Sequence, residues 1–123
     1  MLRLLLDEHV SPDVADGLRR RSKGLAVHAL SQWEKGRLLG QSDETILEAA
    51  ALVRLTLVTY DLRTIPRLLK VWAESERHYA GVILVDEKTI PPSDIGGLIR
   101  ALGKLVRETA DWDWTDQVVF LRR

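Results

Sequence analysis

The chain contains no cysteine. That excludes a disulfide framework, a thiolate zinc site and a cysteine nucleophile, and it fits a reducing compartment. It also has no net charge, with Lys+Arg and Asp+Glu both at 18. No overall field therefore draws it toward nucleic acid or membrane, and any site for a polyanion has to be local. No apolar run approaches the length of about eighteen residues that a membrane span needs. The opening Met1-Leu2-Arg3-Leu4-Leu5-Leu6 is too short for a signal peptide before Asp7 and Glu8 intervene. Internal repeats, linkers and low-complexity stretches are missing as well. What remains is 123 residues, 46% hydrophobic and 29% charged. The expectation is one soluble cytoplasmic domain spanning residues 1–123, with enough length to bury a real core.

Short apolar runs alternate with amphipathic stretches, the pattern of a parallel sheet with crossover helices. Strands are expected at Leu2–Leu6, Leu25–Leu30, Leu55–Thr59, Ala80–Val85 and Val118–Leu121. Ser11-Pro12-Asp13 reads as a helix start: a hydroxyl cap, Pro in the first turn and an acid beside the positive dipole end. That helix runs to about Arg21 with Val14, Ala15 and Leu18 inward. Residues 31–41 read as a loop. Ser42-Asp43-Glu44 opens a second helix with Ile46, Leu47, Ala50 and Val53 inward. A turn at Asp61–Thr64 leads through Pro66 into a third helix carrying Ile65, Leu68, Leu69 and Trp72 on its apolar side. Pro91-Pro92-Ser93 starts the last helix, where Ile95, Leu98, Ile99, Leu102, Leu105 and Val106 keep the helical period. Gly96, Gly97 and Gly103 lower its propensity by about 1 kcal/mol each, which suggests close packing there. The fold class is α/β: a three-layer α/β/α sandwich on a mostly parallel five-stranded sheet.

In such a sheet functional groups gather beyond the carboxyl ends of the strands. Acids fall there: Asp7-Glu8 with His9 after the first strand, Asp61 after the third, Asp86-Glu87 after the fourth. Asp43 begins the helix leading into the third strand, and is expected at the far end of that helix from this edge unless the preceding loop folds it back. Carboxylates crowded on one edge repel unless something offsets their charge. A hard divalent cation, Mg²⁺ or Mn²⁺, supplies that offset through oxygen ligands, and would also activate water and stabilise charge on a phosphate. Asp7 and Asp61 are the foremost candidates for catalytic and metal-binding roles, because each follows an apolar strand directly. Glu8 and Asp43 are further ligands or water-positioning groups. For Asp43, beside Ser42, simple helix-start chemistry serves equally well. Asp86 and Glu87 read as ordinary loop formers.

Other motifs carry less. Gly36-x-x-x-Gly40 lacks the Lys and Ser/Thr of a phosphate loop, and no zinc or haem pattern is present. Ser11 has no triad around it. Arg19-Arg20-Arg21 can contact a phosphate backbone, or simply end a helix beside its negative dipole terminus. Trp112 and Trp114 can stack bases, pack, or form a dimer surface.

Three blocks in order carry a resemblance: Leu4-Leu5-Leu6-Asp7-Glu8-His9 with Ser11-Pro12, then Ser42-Asp43-Glu44-x-Ile46-Leu47, then Leu57-Val58-Thr59-Tyr60-Asp61. Over about residues 1–70 the chain resembles the short PIN-like proteins of bacteria, compact relatives of PIN-domain ribonucleases and VapC-type toxins. The resemblance implies a PIN-like fold and a Mg²⁺- or Mn²⁺-dependent endoribonuclease acting on RNA. Such proteins are often the toxin of a toxin–antitoxin pair, with an antitoxin protein as partner and a homodimer as a further expectation. It carries the acidic set over as Asp7, Glu8, Asp43 and Asp61. The chain departs from the pattern at Arg63 and Thr64, where relatives commonly carry another Asp and an aromatic. Arg63 in that place weakens a metal site and can instead grip phosphate, with Arg19 and Arg20 as further RNA contacts. Two alternatives stand beside this reading. One is a catalytically inactive PIN-like module that works by binding or oligomerising. The other is a receiver-like signalling domain, which shares the alternation and the acids. Against the receiver, Pro66 lies five residues after Asp61, and the fourth and fifth strands end in Asp86 and Leu121-Arg122 rather than Ser/Thr and Lys.

Overall fold

The structure, a computed structural model, describes residues 2–123. Its elements run β1 (Arg3–Leu6), α1 (Pro12–Arg21), β2 (Ala26–Ala29), α2 (Asp43–Leu52), β3 (Thr56–Thr59), α3 (Thr64–Glu74), β4 (Val82–Leu84), α4 (Ile95–Glu108) and β5 (Val118–Phe120). The strands form one sheet in the order β2-β1-β3-β4-β5, and every pairing is parallel. The expected sheet was mostly parallel; it is wholly so. Leu4, Leu5 and Leu6 are buried on both faces of β1, which is why that strand reads as an unbroken apolar run.

Alternate strand residues feed two separate cores. Leu4, Leu6, Val58 and Ile83 pack with Val14, Leu18, Leu98 and Leu102 beneath α1 and α4. Leu5, Leu57, Val82 and Leu84 pack with Ile46, Leu47, Leu69 and Trp72 beneath α2 and α3. Three layers result, as the alternation implied. No helix is long and apolar enough to cross a membrane among the described residues.

The helix starts follow the caps. The Ser11 hydroxyl accepts from Asp13 N–H at 3.1 Å, and that of Ser42 from Thr45 N–H at 3.2 Å. The last helix differs. Its cap is Asp94, not Ser93, and the carboxylate accepts the Gly97 N–H at 2.9 Å. A side chain at Gly97 would collide with that carboxylate, so this glycine serves the cap rather than a neighbouring helix. The close helix–helix approach lies at Gly17 on α1, where any added methyl would overlap Ile99 of α4. Val53, expected inward, terminates α2 and is 40% exposed. The strands stop one to three residues inside their apolar runs. Leu25, Leu55 and Ala80 remain buried as flanks, and Leu30, just past β2, is buried with its N–H bonded to Leu6 O. Within the loop of residues 31–41, Glu34 and Lys35 form a tight turn with left-handed backbone (φ 52° and 58°).

Candidate acidic site at the carboxyl end of the sheet

The strand order reverses at β1, whose neighbours are β2 and β3, so a crevice opens beyond the carboxyl ends of β1 and β3. An open cleft of about 540 Å³ occupies this place, lined by Asp7, Glu8, His9, Asp43, Tyr60, Asp61, Glu87 and Pro92. All four acidic residues singled out in the sequence meet here.

Asp7 leaves β1 with its N–H donating to Val58 O at 2.9 Å, and it is only 7% exposed. Its Oδ2 accepts the Thr59 hydroxyl at 2.8 Å, and its Oδ1 accepts the Glu8 N–H at 2.8 Å. The Thr59 oxygen in turn accepts the Asp61 N–H at 3.0 Å. A buried hydroxyl thus ties the two strand-end acids together. Thr59 was missed in the sequence, where a single hydroxyl inside an apolar strand carries no periodic signal.

Asp61 precedes α3, and its Oδ1 accepts the N–H groups of Arg63 at 2.9 Å and Thr64 at 2.7 Å. Burial alone would raise this carboxyl. Those two N–H groups, with the Asp43 carboxyl and the Thr64 hydroxyl, outweigh burial and hold it below its ordinary value. Asp43 does reach the edge, contrary to the expected placement. A crossover helix runs antiparallel to the strands it joins, so α2 starts at the carboxyl end of the sheet and finishes at the amino end. Its carboxyl hydrogen-bonds to that of Asp61, and burial, followed by the charges of Asp61 and Asp7, pushes it above the usual range. The two carboxyls are thus pushed in opposite directions, Asp43 upward and Asp61 downward.

Glu8 stands exposed on the rim, with His9 Nε2 4.0 Å from its Oε1. Asp86 acts as expected, its carboxylate closing a turn onto Lys88 N–H at 2.9 Å. Glu87, assigned to the same loop, instead lines the cleft. Tyr60 forms one wall; its hydroxyl donates to Ile90 O at 2.8 Å. Burial, with the charges of Asp94 and Glu87, pushes that phenol up to about 12.

The basic candidates lie elsewhere. Arg63 is exposed, and its side chain is not among the groups lining the cleft. Arg19 and Arg20 close α1 at the amino end of the sheet, opposite the acids. Arg19 is already engaged, donating to Asp16 at 3.0 Å and to Val27 O at 2.6 Å. Trp114 is buried in the core, whereas Trp112 is 47% exposed with its ring 5.4 Å from that of Trp114.

Among the described residues, no group of three or more His, Asp or Glu side chains is arranged to hold a metal ion. The acids share a cleft without forming a ready-made cage. No family model matches the chain, and no curated protein or solved structure matches it either.

Proposed function

We propose that this protein is a PIN-like, Mg²⁺- or Mn²⁺-dependent endoribonuclease, with the toxin role in a toxin–antitoxin pair as its setting and an antitoxin protein as its partner. The observation that carries the reading is the shared cleft, where Asp43 at the start of α2 and Asp61 in the turn before α3 meet beside buried Asp7. Mg²⁺ sites usually take one or two carboxylates, with water and substrate phosphate completing the shell. The hard oxygen donors of Asp43 and Asp61 fit that demand, although a cage of three does not form. When bound, the ion supplies charge stabilisation at a scissile phosphate and a more acidic water.

The chain's own residues divide the remaining work. Asp43 and Asp61 would hold the ion. Asp7, fixed by Thr59, keeps Asp61 N–H and its loop in place. Glu8, on the rim, would orient water, and Arg63, exposed outside the cleft two residues after Asp61, would have to swing inward to offer a planar cation to phosphate.

The test is calorimetric titration of Mn²⁺ into the millimolar range, on wild type and Asp61→Asn, beside an RNA cleavage assay. Binding and cleavage in the wild type, both lost in the variant, support the reading. Cleavage that survives in Asp61→Asn overturns the assignment of roles. Absence of binding in both assigns the acids to turns and leaves a non-catalytic PIN-like binding module.

One observation favours a second reading. The strand order 2-1-3-4-5 is the flavodoxin-like order, which receiver domains share. A receiver-like domain would be phosphorylated on a carboxylate of this cleft, and failure to label with acetyl phosphate removes it.

A further inference from the structure

The sheet has two edge strands, and on only one of them are the outward carbonyls occupied. On β2, Leu30 N–H donates inward to Leu6 O, so the backbone groups of Val27 and Ala29 face out. Both outward carbonyls are occupied: Val27 O accepts the Arg19 guanidinium at 2.6 Å, and Ala29 O accepts Gln32 N–H at 2.9 Å. On β5, Gln117 O accepts Val82 N–H and Leu121 N–H donates to Leu84 O, both at 2.9 Å. Residues 117, 119 and 121 therefore face β4, and the N–H and C=O groups of Val118 and Phe120 face outward. Among the described residues nothing pairs with them. Their side chains are uncovered too, at 43% and 57% exposed. They stand beside Val82 and Leu84 on the α2/α3 face of the sheet, where neither helix extends over β5.

We infer that two copies of this chain join edge to edge through β5, antiparallel about a two-fold axis at Val119. The edge is self-complementary in that register. Val118 of each copy meets Phe120 of the other, outward backbone groups face each other for reciprocal hydrogen bonds, and a β-branched side chain lies against an aromatic. Beyond the strand, Asp116 sits in a turn with its carboxylate held by His78 and the Tyr79 N–H, so the register is set by the strand residues themselves. Centring the axis on Phe120 would set Val118 against Arg122, and centring it on Val118 would set Asp116 against Phe120. Only the Val119 register pairs both outward residues of β5 with each other, apolar on apolar. The axis runs through the sheet, so both copies of α4 lie on the same face and flank the joint. Lys104 and Glu108, one helical turn apart, line the groove between α4 and β5 and extend the contact beyond three strand residues. An interface of standard size needs that extension.

Sedimentation of the full chain across the micromolar to millimolar range tests this. The wild type is expected as a dimer and Phe120→Lys as a monomer of unchanged circular dichroism. Because the chain has no cysteine, Val119→Cys gives an independent reading. Facing residues in the non-hydrogen-bonded position have Cα atoms about 4.5 Å apart, within disulfide reach. Mild oxidation is expected to cross-link Val119→Cys to itself. Val118→Cys is expected to cross-link only when mixed with Phe120→Cys. A wild type that stays monomeric, a dimer that survives Phe120→Lys, or Val118→Cys self-linking as fast as Val119→Cys each overturns the proposal.

Discussion

At the carboxyl end of the sheet Asp7, Asp43, Asp61 and Glu87 crowd one cleft. At the amino end Arg20, Arg21 and Lys23 stand exposed, while Arg3, Arg19 and Arg54 bond to Val53 O, Val27 O and the Thr115 hydroxyl. The cleft thus gathers acids with no Lys or Arg in its lining, whereas the amino end mixes bases with acids such as Asp113. Helix dipoles account for much of this, because all four helices start at the carboxyl end and finish at the amino end. Acids near helix starts and bases near helix ends are each favoured by about 0.3–1 kcal/mol. Asp13 and Asp94 fit that account, as does the basic end of α1. Asp43 does not: burial and the charges of Asp61 and Asp7 oppose its ionisation at the start of α2. The surplus of acid beyond what the helices require is what the proposed metal site would draw on.

The largest expected effect comes from breaking the acidic end at its buried member. Asp7→Ala leaves the Thr59 hydroxyl and the Glu8 N–H without their acceptor, and should lower stability by about 2 kcal/mol in urea unfolding. An unchanged midpoint would show that Asp7 has no structural share in the cleft. A smaller effect of opposite sign is expected at Asp43. Its folded pKa is raised, so its cost is absent below the ordinary value of 3.8, grows as pH rises through the folded value, and is fully present at neutral pH. Asp43→Asn, whose amide donates to Asp61 permanently, should therefore be more stable than wild type at pH 7, with the gain vanishing in acid. Asp61 has the reverse sign. Its lowered pKa gives stability present at neutral pH and lost as pH falls through the folded value. Thermal melts across pH on both proteins check the pair. The smallest effect belongs to the amino end: Arg20→Ala should stay within about 0.5 kcal/mol of wild type by the same melts.

Much of this arrangement was legible in the sequence. Apolar runs such as Leu4–Leu6 marked the strands, and Ser11 and Ser42 marked two helix starts through their hydroxyl caps. The acids at strand ends then fell on one edge without further assumption. Asp43 was placed at the wrong end because the direction of a crossover helix was not applied to it. The Asp94 cap was hidden behind a nearer hydroxyl, and only the missing side chain of Gly97 makes room for its carboxylate. Arg19 read as part of a basic run, yet its partner is a carbonyl on a strand eight residues away, a contact set by the packing of α1 on β2. Thr59 became visible only when strand register set its hydroxyl against Asp7, and Glu87, read as a loop former, lines the cleft instead. The open edge at β5 depends on which backbone groups point outward, and side-chain patterns do not encode that.

The division of the core by the sheet has an optical consequence. Trp114 is 7% exposed on the α1/α4 side and Trp72 is 2% exposed on the α2/α3 side, and neither indole N–H has a partner among the described residues. Each half of the interior thus carries its own dry fluorophore. With Trp33 and Trp112 replaced by phenylalanine, variants retaining one buried indole would emit from one side of the sheet alone. Loosening of the α1/α4 layer would then be distinguishable, by colour and by time, from loosening of the α2/α3 layer.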